Sequence, residues 1–378
     1  MQFFLHPILL KNILNMEKYN ICFTSDENYA QHLGVAIVSI LKNSNIEDKF
    51  YFWVVDDDIS QESKDKIEKL KDIKDFKVEY LKVDKDEFSN FPRRKDGLPV
   101  NSYFLIKVPN LLKNVDKILF LDCDIVVKKN ISDIFKIDID DKYILAVEDI
   151  NGKQFSEERS MKTSCFYFNS GVFVLNCKKW REEGLEQKCF DYVKENGHTF
   201  KFQDQEVLNG VLCENAKKIG LEWNFQYIRN YVGGFNKEEF NEVKKDPAII
   251  HYITGEKPWK ISNVDKIIIE YWRYLSMTPF FMNNIEKFEE RINLMSDCMD
   301  EYVNLKTELD STKIGSDLVR AELDCIKTEL ESAKSNLATV YKSWEWRLAI
   351  KIQKMFKLIF PKNSLRRKLL NKLLNKNN

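Results

Sequence analysis

The sequence predicts an α/β domain with a mainly parallel sheet over residues 16–282, then a helical coiled coil over 283–340 and a basic amphipathic tail over 341–378. Three observations predict it. From Tyr19 to about Trp259, short apolar runs alternate with stretches of helical spacing, the pattern of strands joined by crossover helices. After that, apolar residues recur at alternating three- and four-residue steps, which is a heptad seam. The final segment sets cations among aromatic and aliphatic side chains.

In chain order, Met1 to Asn15 form an apolar extension that holds one lysine. It lacks a basic n-region and a small-residue cleavage site, so it does not read as a secretory signal. Met16 stands directly before the first strand-like run and is an alternative start of translation. Ile21–Phe23, Phe50–Val55, Val78–Val83, Lys117–Leu121, Tyr143–Val147, Gly171–Asn176 and Ala248–Tyr252 read as strands. Tyr29–Lys42, Ser60–Leu70 and Glu182–Glu195 have helical spacing, with Ser60 as a capping residue. Ligands of such sheets bind beyond the carboxyl ends of the strands.

The seam runs from Met295 through Leu305, Val319, Leu323, Ile326 and Leu330 to Val340, weakened earlier by Thr312, Gly315 and Ser316. A coiled coil explains it better than a surface helix, because the segment is otherwise polar and follows a self-sufficient domain.

The chain carries 59 Lys/Arg and 59 Asp/Glu, but they are not evenly placed. Residues 341–378 hold eleven Lys/Arg and only Glu345. The first 340 residues therefore keep 48 basic and 58 acidic side chains, a charge of −10 against +10 for the tail. Trp344, Trp346, Ile352, Phe356, Phe360 and Leu369 accompany the tail cations, and Pro361 divides the segment. That mixture suits an anionic membrane surface, where each clustered cation adds about 1 kcal/mol. A solvated tail or a nucleic-acid patch are the alternatives.

Composition closes off other classes. With 44% hydrophobic residues in 378 the chain can bury a sizeable core, and 12 Gly with 8 Pro exclude collagenous or low-complexity sequence. No apolar stretch reaches the roughly 18–20 residues of a membrane span. Eight cysteines are scattered without a C-x-x-C pair and are expected to be reduced cytosolic thiols.

Asp122-Cys123-Asp124 follows the apolar run Lys117–Leu121 and precedes Ile125-Val126-Val127. Two carboxylates one residue apart at a bend can reach one hard divalent cation. Without a cation or another partner they would repel. Thr24-Ser25-Asp26-Glu27-Asn28-Tyr29 follows the first strand, where Asp and Asn could read a base edge and Tyr29 could stack on it. Phe168-Asn169-Ser170-Gly171 opens a strand with small residues, and Gln203-Asp204-Gln205 sits ahead of a helical run. His251 ends an apolar strand, with Gly255, Lys257 and Trp259 close behind. A neutral imidazole can complete a cation site and a lysine can neutralise phosphate.

These five ordered blocks, between about Tyr19 and Pro279, resemble the retaining family-eight glycosyltransferases, the group with glycogenin and bacterial lipopolysaccharide galactosyl- and glucosyltransferases. The resemblance implies a GT-A nucleotide-sugar-binding fold. It implies that Asp122, Asp124 and His251 hold Mn2+, or Mg2+ in its place, on the diphosphate of a UDP-sugar. It places Thr24, Asp26, Asn28 and Tyr29 on uridine, and Gly255 and Lys257 on the diphosphate. Asn169, Gly171, Asp204 and Gln205 would surround the donor sugar, with Gln205 near the β-face of the anomeric carbon. Transfer would retain anomeric configuration, and the hexose would be galactose or glucose.

This sequence departs from the family pattern at three places. Leu105 stands where an arginine usually contacts the donor sugar, with Lys107 as the candidate substitute. Thr254 stands where a glycine is usual, with Gly255 one residue later. Glu27 replaces a frequent aspartate. The loop Phe91–Pro99, with Arg93, Arg94 and Lys95, lies where family members build the acceptor site.

The expected protein is a retaining hexosyltransferase at the cytoplasmic face of the membrane, acting on a lipid-linked surface polysaccharide or lipooligosaccharide. The coiled coil would make it a homo-oligomer, and the tail would bind lipid rather than nucleic acid. The alternatives are a protein or soluble-glycan acceptor, a decayed scaffold without catalysis, and a nucleotidyltransferase.

Overall fold

The computed structural model describes residues 18–93, 100–228 and 235–290, apart from 140, 160, 163, 256, 261–264 and 288. Beyond 290 it describes only 324–335 without 325 and 333, then 351, 355 and 359. The expected N-terminal extension and acceptor-loop cations Arg94 and Lys95 lie outside the described residues, as does nearly all of the expected seam and tail. Residues 326–332 are helical. The chain divides into two compact units, one of residues 1–261 with 278–280 and one of 262–277 with 281–378.

The first unit holds both sheets. Its strands are β1 (Lys18–Asp26), β2 (Lys49–Asp57), β3 (Lys77–Leu81), β4 (Lys117–Leu121), β5 (Ile125–Val127), β6 (Ile144–Glu148), β7 (Phe168–Asn176), β8 (Ala216–Lys218), β9 (Phe225–Gln226) and β10 (Ile249–His251). The large sheet has the order β3-β2-β1-β4-β7-β6-β8 and the small one β5-β10-β9. Strands β3, β2, β1 and β4 run parallel. Strand β7 is reversed, pairing antiparallel with both β4 and β6.

The sheet was legible because its central strands are buried along nearly their whole length. In β4 the run Ile118 to Leu121 is buried without alternation, as a doubly covered strand requires. Phe120 stacks on Phe173 across the β4–β7 pair, with centroids 4.8 Å apart. Each large side chain so buried contributes roughly 1.5–3 kcal/mol.

Helix α1 (Ala30–Lys42) is buried along almost its whole length. It docks on the small sheet through polar ties: Val127 N donates to Ser39 Oγ at 2.9 Å, and Asn43 Nδ2 donates to Val127 O at 2.9 Å. Helix α2 (Gln61–Glu68) is capped as expected, Ser60 Oγ accepting from Ser63 N at 3.2 Å. The helix expected over Glu182–Glu195 begins only at Leu185 and runs to Asn196, as α3. Gly184, at φ +60°, breaks it from the preceding Cys177–Glu182 turns, since glycine adopts left-handed backbone without strain.

One expectation is overturned. Cys165 and Cys213 are joined in a disulfide with Cα atoms 5.2 Å apart. They are 48 residues apart in sequence and meet because α4 (Asp204–Leu212) packs beside β7. Cys22, Cys123, Cys177 and Cys189 are free and buried.

Candidate active site

The Asp122–Asp124 turn carries the chain from the large sheet into the small one. Asp122 N donates to Gly171 O at 2.8 Å on the β7 side, and Tyr252 N donates to Asp124 O at 3.0 Å beyond β10. His251 lies opposite Ile125 in the β5–β10 pair. The strand ends therefore force these three side chains together. His251 Nε2 lies 3.5 Å from Asp122 Oδ2 and 3.4 Å from Asp124 Oδ1. One ligand atom from each residue falls within 4.8 Å of the others.

The donor set fits a hard divalent cation. Asp124 Oδ1 is buried with no well-formed hydrogen bond, only His251 Nε2 at 3.4 Å, a costly state for a carboxylate oxygen unless something positive meets it. Asp124 Oδ2 is paired with Lys257 Nζ, which also donates to Tyr252 O. Although burial opposes its charge, Lys257 and His251 hold the Asp124 carboxyl well below the usual carboxylate range. Burial alone would lower the His251 imidazole, but the hydrogen bonds and charges of Asp122 and Asp124 win and raise it to about 9.

A buried amide chain fixes which imidazole nitrogen faces the carboxylates. Asp149 Oδ2 accepts from Asn169 Nδ2 at 3.1 Å and Gln205 Nε2 at 3.2 Å. Asn169 Oδ1 must then be the acceptor that Gly171 N meets at 3.0 Å and Asn224 Nδ2 at 2.9 Å. Asn224 Oδ1 is left facing His251 Nδ1 at 2.9 Å, so Nδ1 carries the proton. The neutral ring therefore presents the Nε2 lone pair to the cluster.

Gly171 is required by this geometry. A Cβ on it would stand 2.1 Å from His251 Cε1 and 2.7 Å from Asp122 Oδ2. No side chain larger than hydrogen leaves that cluster in place.

Gln205 and Asp204 begin α4 and sit beside the cluster in different states. Gln205 Oε1 accepts from Ser170 N at 3.0 Å and Asn169 Nδ2 at 3.2 Å. Its carbonyl oxygen is thus already saturated. Burial and the neighbouring Asp122 charge push the Asp204 carboxyl up to about 7, against hydrogen bonds from Ser170 and Ser102. The corner that aims both residues is strained: Gln203 is buried at φ +49°. Glu206 pins this corner, its Oε2 accepting from Phe202 N at 3.1 Å and from Lys201 N, while Arg159 pairs with Oε1.

The loop after β1 closes the opposite side. Asp26 Oδ1 accepts from Tyr29 N at 3.0 Å and its Oδ2 from Asn28 Nδ2 at 3.2 Å. Thr24 O accepts from Cys123 Sγ at 3.3 Å, which places this loop against the carboxylate turn. Burial, then the Asp124 and Asp122 charges, raise the Tyr29 hydroxyl far above its usual range. Tyr29 meets Trp259 edge-on at 6.1 Å, and Trp259 stacks on His32. Glu27 has a separate task, accepting from Ser60 N at 2.7 Å and from the Ser60 and Ser63 hydroxyls at the start of α2.

Three residues singled out by the sequence stand apart from the cluster. Lys107 does not replace the missing arginine: Glu87 and Glu186 hold its ammonium at 2.7 and 2.8 Å. Leu105 is buried in the apolar core. Gly255 is exposed, with open space where a Cβ would stand. Conversely, sequence reasoning missed Asp149, Asn224 and the cap Glu206. Asp149 had a weaker form of the Asp122 signature, as the second of two acids, Glu148 and Asp149, that follow the apolar run Tyr143–Val147.

A family model described as glycosyl transferase family 8 matches residues 20–262. The chain belongs to that family. It is a glycosyltransferase, and the nucleotidyltransferase and inert-scaffold alternatives are set aside. General stress protein A of Bacillus subtilis is 28% identical over 273 residues, covering 70% of this chain and 95% of the relative. A lipopolysaccharide 1,2-glucosyltransferase of Escherichia coli is 27% identical over 274 residues, covering 68% and 80%. Among solved structures, the galactosyltransferase LgtC in complex with donor and acceptor sugar analogues matches with a TM-score of 0.61 at 22% identity. That match covers 69% of this chain and 96% of LgtC, and it shows a shared GT-A-like α/β fold.

Proposed function

We propose that this family-8 enzyme transfers a hexose, galactose or glucose, from a UDP-sugar to a glycan acceptor with retention of configuration. The observation that carries the reading is the orphaned Asp124 Oδ1 facing His251 Nε2. Asp122, Asp124 and His251 would hold a divalent cation, Mn2+ or Mg2+, which supplies positive charge to the diphosphate as UDP departs. Lys257 lies in the same cluster and can shift from Asp124 to the leaving phosphate. Asp26, Asn28 and Tyr29 would hold the uridine from the β1 side.

The donor sugar would lie over Gly171, between Asn169, Asp204 and Gln205. Because the Gln205 carbonyl oxygen already accepts two hydrogen bonds, this side chain positions the sugar and polarises it rather than attacking it. Front-face attack by the acceptor, with the departing phosphate receiving its proton, then accounts for retention without a covalent intermediate.

The acceptor in this reading is a lipid-linked surface glycan. Two observations support it: the lipopolysaccharide glucosyltransferase relative and the +10 tail with its aromatic residues. The tail would hold the enzyme on the inner face of the membrane. The heptad seam would make it an oligomer. No helix among the described residues is long and apolar enough to cross a membrane.

UDP release from UDP-galactose and UDP-glucose, with Mn2+ and with EDTA, tests the reading. Cation-dependent release in the wild type, absent in Asp124→Ala, is expected. Release that persists in EDTA would refute it. Deleting residues 341–378 is expected to free the protein from anionic vesicles while UDP-sugar hydrolysis survives, and loss of both together would refute the division of labour.

A further inference from the structure

We propose that the Cys165–Cys213 pair is a redox-controlled staple on the donor-sugar half of the site, a role that rests on the function proposed above. The two cysteines end the two segments that carry the sugar-facing residues. Cys165 lies three residues before β7, whose first residues include Asn169, Ser170 and Gly171. Cys213 directly follows α4, whose start supplies Asp204 and Gln205.

The side-chain hydrogen bonds between these segments start at the site end, where Gln205 Oε1 accepts from Ser170 N and Asn169 Nδ2. Asn209 clamps the Phe168 backbone in both directions at 2.8 Å. Lys162 pairs with Glu214, but both side chains are more than half exposed, so that pair holds little. Between Cys165 and the site lie Tyr167 and, upstream, Arg159, which lies 5.2 Å from the Tyr167 ring and pairs with Glu206. A covalent link at Cys165 and Cys213 thus fixes the outer end of the assembly that holds the strained Gln203 corner.

The pair is also accessible and selective. Cys165 and Cys213 are partly exposed, whereas Cys22, Cys123, Cys177 and Cys189 are buried. A small disulfide RSSR supplies the oxidising equivalents. One protein thiolate attacks an RSSR sulfur and expels RS−. The second protein thiolate then attacks the resulting mixed disulfide and expels the other RS−. Two thiols and RSSR become one protein disulfide and two RSH, and a dithiol reductant reverses the exchange.

The staple spans neither the carboxylate–histidine cluster, held by β4 and β10, nor the loop after β1. Its effect therefore falls more on the sugar than on the nucleotide. Reduction is expected to weaken UDP-sugar binding about 3- to 10-fold, as a loosened positioning shell does, while UDP affinity shifts less than about two-fold. Oxidation is expected to raise Tm by roughly 5–15 °C.

The test equilibrates the full chain with oxidised or reduced glutathione. Non-reducing peptide mass spectrometry then maps the link, and calorimetry measures UDP, UDP-galactose and UDP-glucose binding in each state. A Cys165–Cys213 peptide, with a UDP-sugar to UDP affinity ratio that follows redox state in the wild type but not in Cys213→Ser or Cys165→Ser, is the expected result. Absence of that peptide, or a ratio indifferent to it, would overturn the proposal. Failure of all UDP ligands to bind in both states would instead refute the proposed function, and an oxidised protein without a raised Tm would then overturn the staple as well.

Discussion

Asn224 Oδ1 accepts the Nδ1 proton of His251 across 2.9 Å, and this contact decides that Nε2 faces Asp122 and Asp124. A ring held the other way would offer the carboxylate cluster a donor instead of a lone pair. The amide chain behind Asn224 reaches Gly171 and Asp149, so ligand orientation and donor-pocket shape are set by one network.

Asn224→Leu should therefore weaken Mn2+ binding in the presence of UDP by about 10- to 100-fold, the usual effect of losing a ligand's supporting hydrogen bond. Calorimetric titration measures it, with circular dichroism to verify the fold. Affinity equal to wild type would show that the ring needs no such support.

Gly171→Ala should push the imidazole out of place, because its Cβ would meet His251 Cε1 at 2.1 Å. Expected consequences are a loss of roughly 1–3 kcal/mol of stability from overpacking and a fall in UDP-sugar turnover of at least about 100-fold. Denaturant unfolding and UDP release read the two effects separately.

The His251 shift gives a pH dependence of opposite sign for stability and for cation binding. Without a cation its pKa is raised to about 9, above the ordinary imidazole value of about 6.5. The stabilisation from the protonated ring is fully present below about pH 6.5 and is lost as pH rises through about 9. A cation must displace that proton, so its affinity should climb over the same interval. Tm of the cation-free protein and the Mn2+ dissociation constant, both measured from pH 6 to 9.5, should fall together. A cation affinity independent of pH would place the metal elsewhere.

Asp149→Asn should lower kcat about 10- to 100-fold and, because the amide chain that orients His251 starts at Asp149, weaken cation-dependent UDP binding by a smaller factor. The new amide would turn an N–H group toward the Asn169 and Gln205 donors that now meet Asp149 Oδ2, leaving one of them unpaired in a buried site. Initial rates combined with UDP titration separate this from simple unfolding.

What the sequence revealed and what it hid follow from the same physics. Asp122 and Asp124 stood out because two acids interrupt a run that is apolar on both sides, and His251 because it ends another. The reversal of β7 left no trace, since an apolar run has no direction. Strands β5, β8 and β9, at two or three residues each, are too short to show a period. Asn224 and the Cys165–Cys213 pair gain meaning only from partners 27 and 48 residues away, a distance no local pattern spans. Lys107 was the candidate substitute for the arginine in sequence, but in the fold Glu87 and Glu186 hold its ammonium.

The central claim is that Asp122, Asp124 and His251 form one cation site on which nucleotide binding depends. Calorimetry of UDP binding with Mn2+ and with EDTA, for wild type and Asp124→Asn, tests it most directly. The account predicts that the cation strengthens UDP binding at least about 100-fold in the wild type and has almost no effect in the variant. Equal enhancement in both proteins would contradict it.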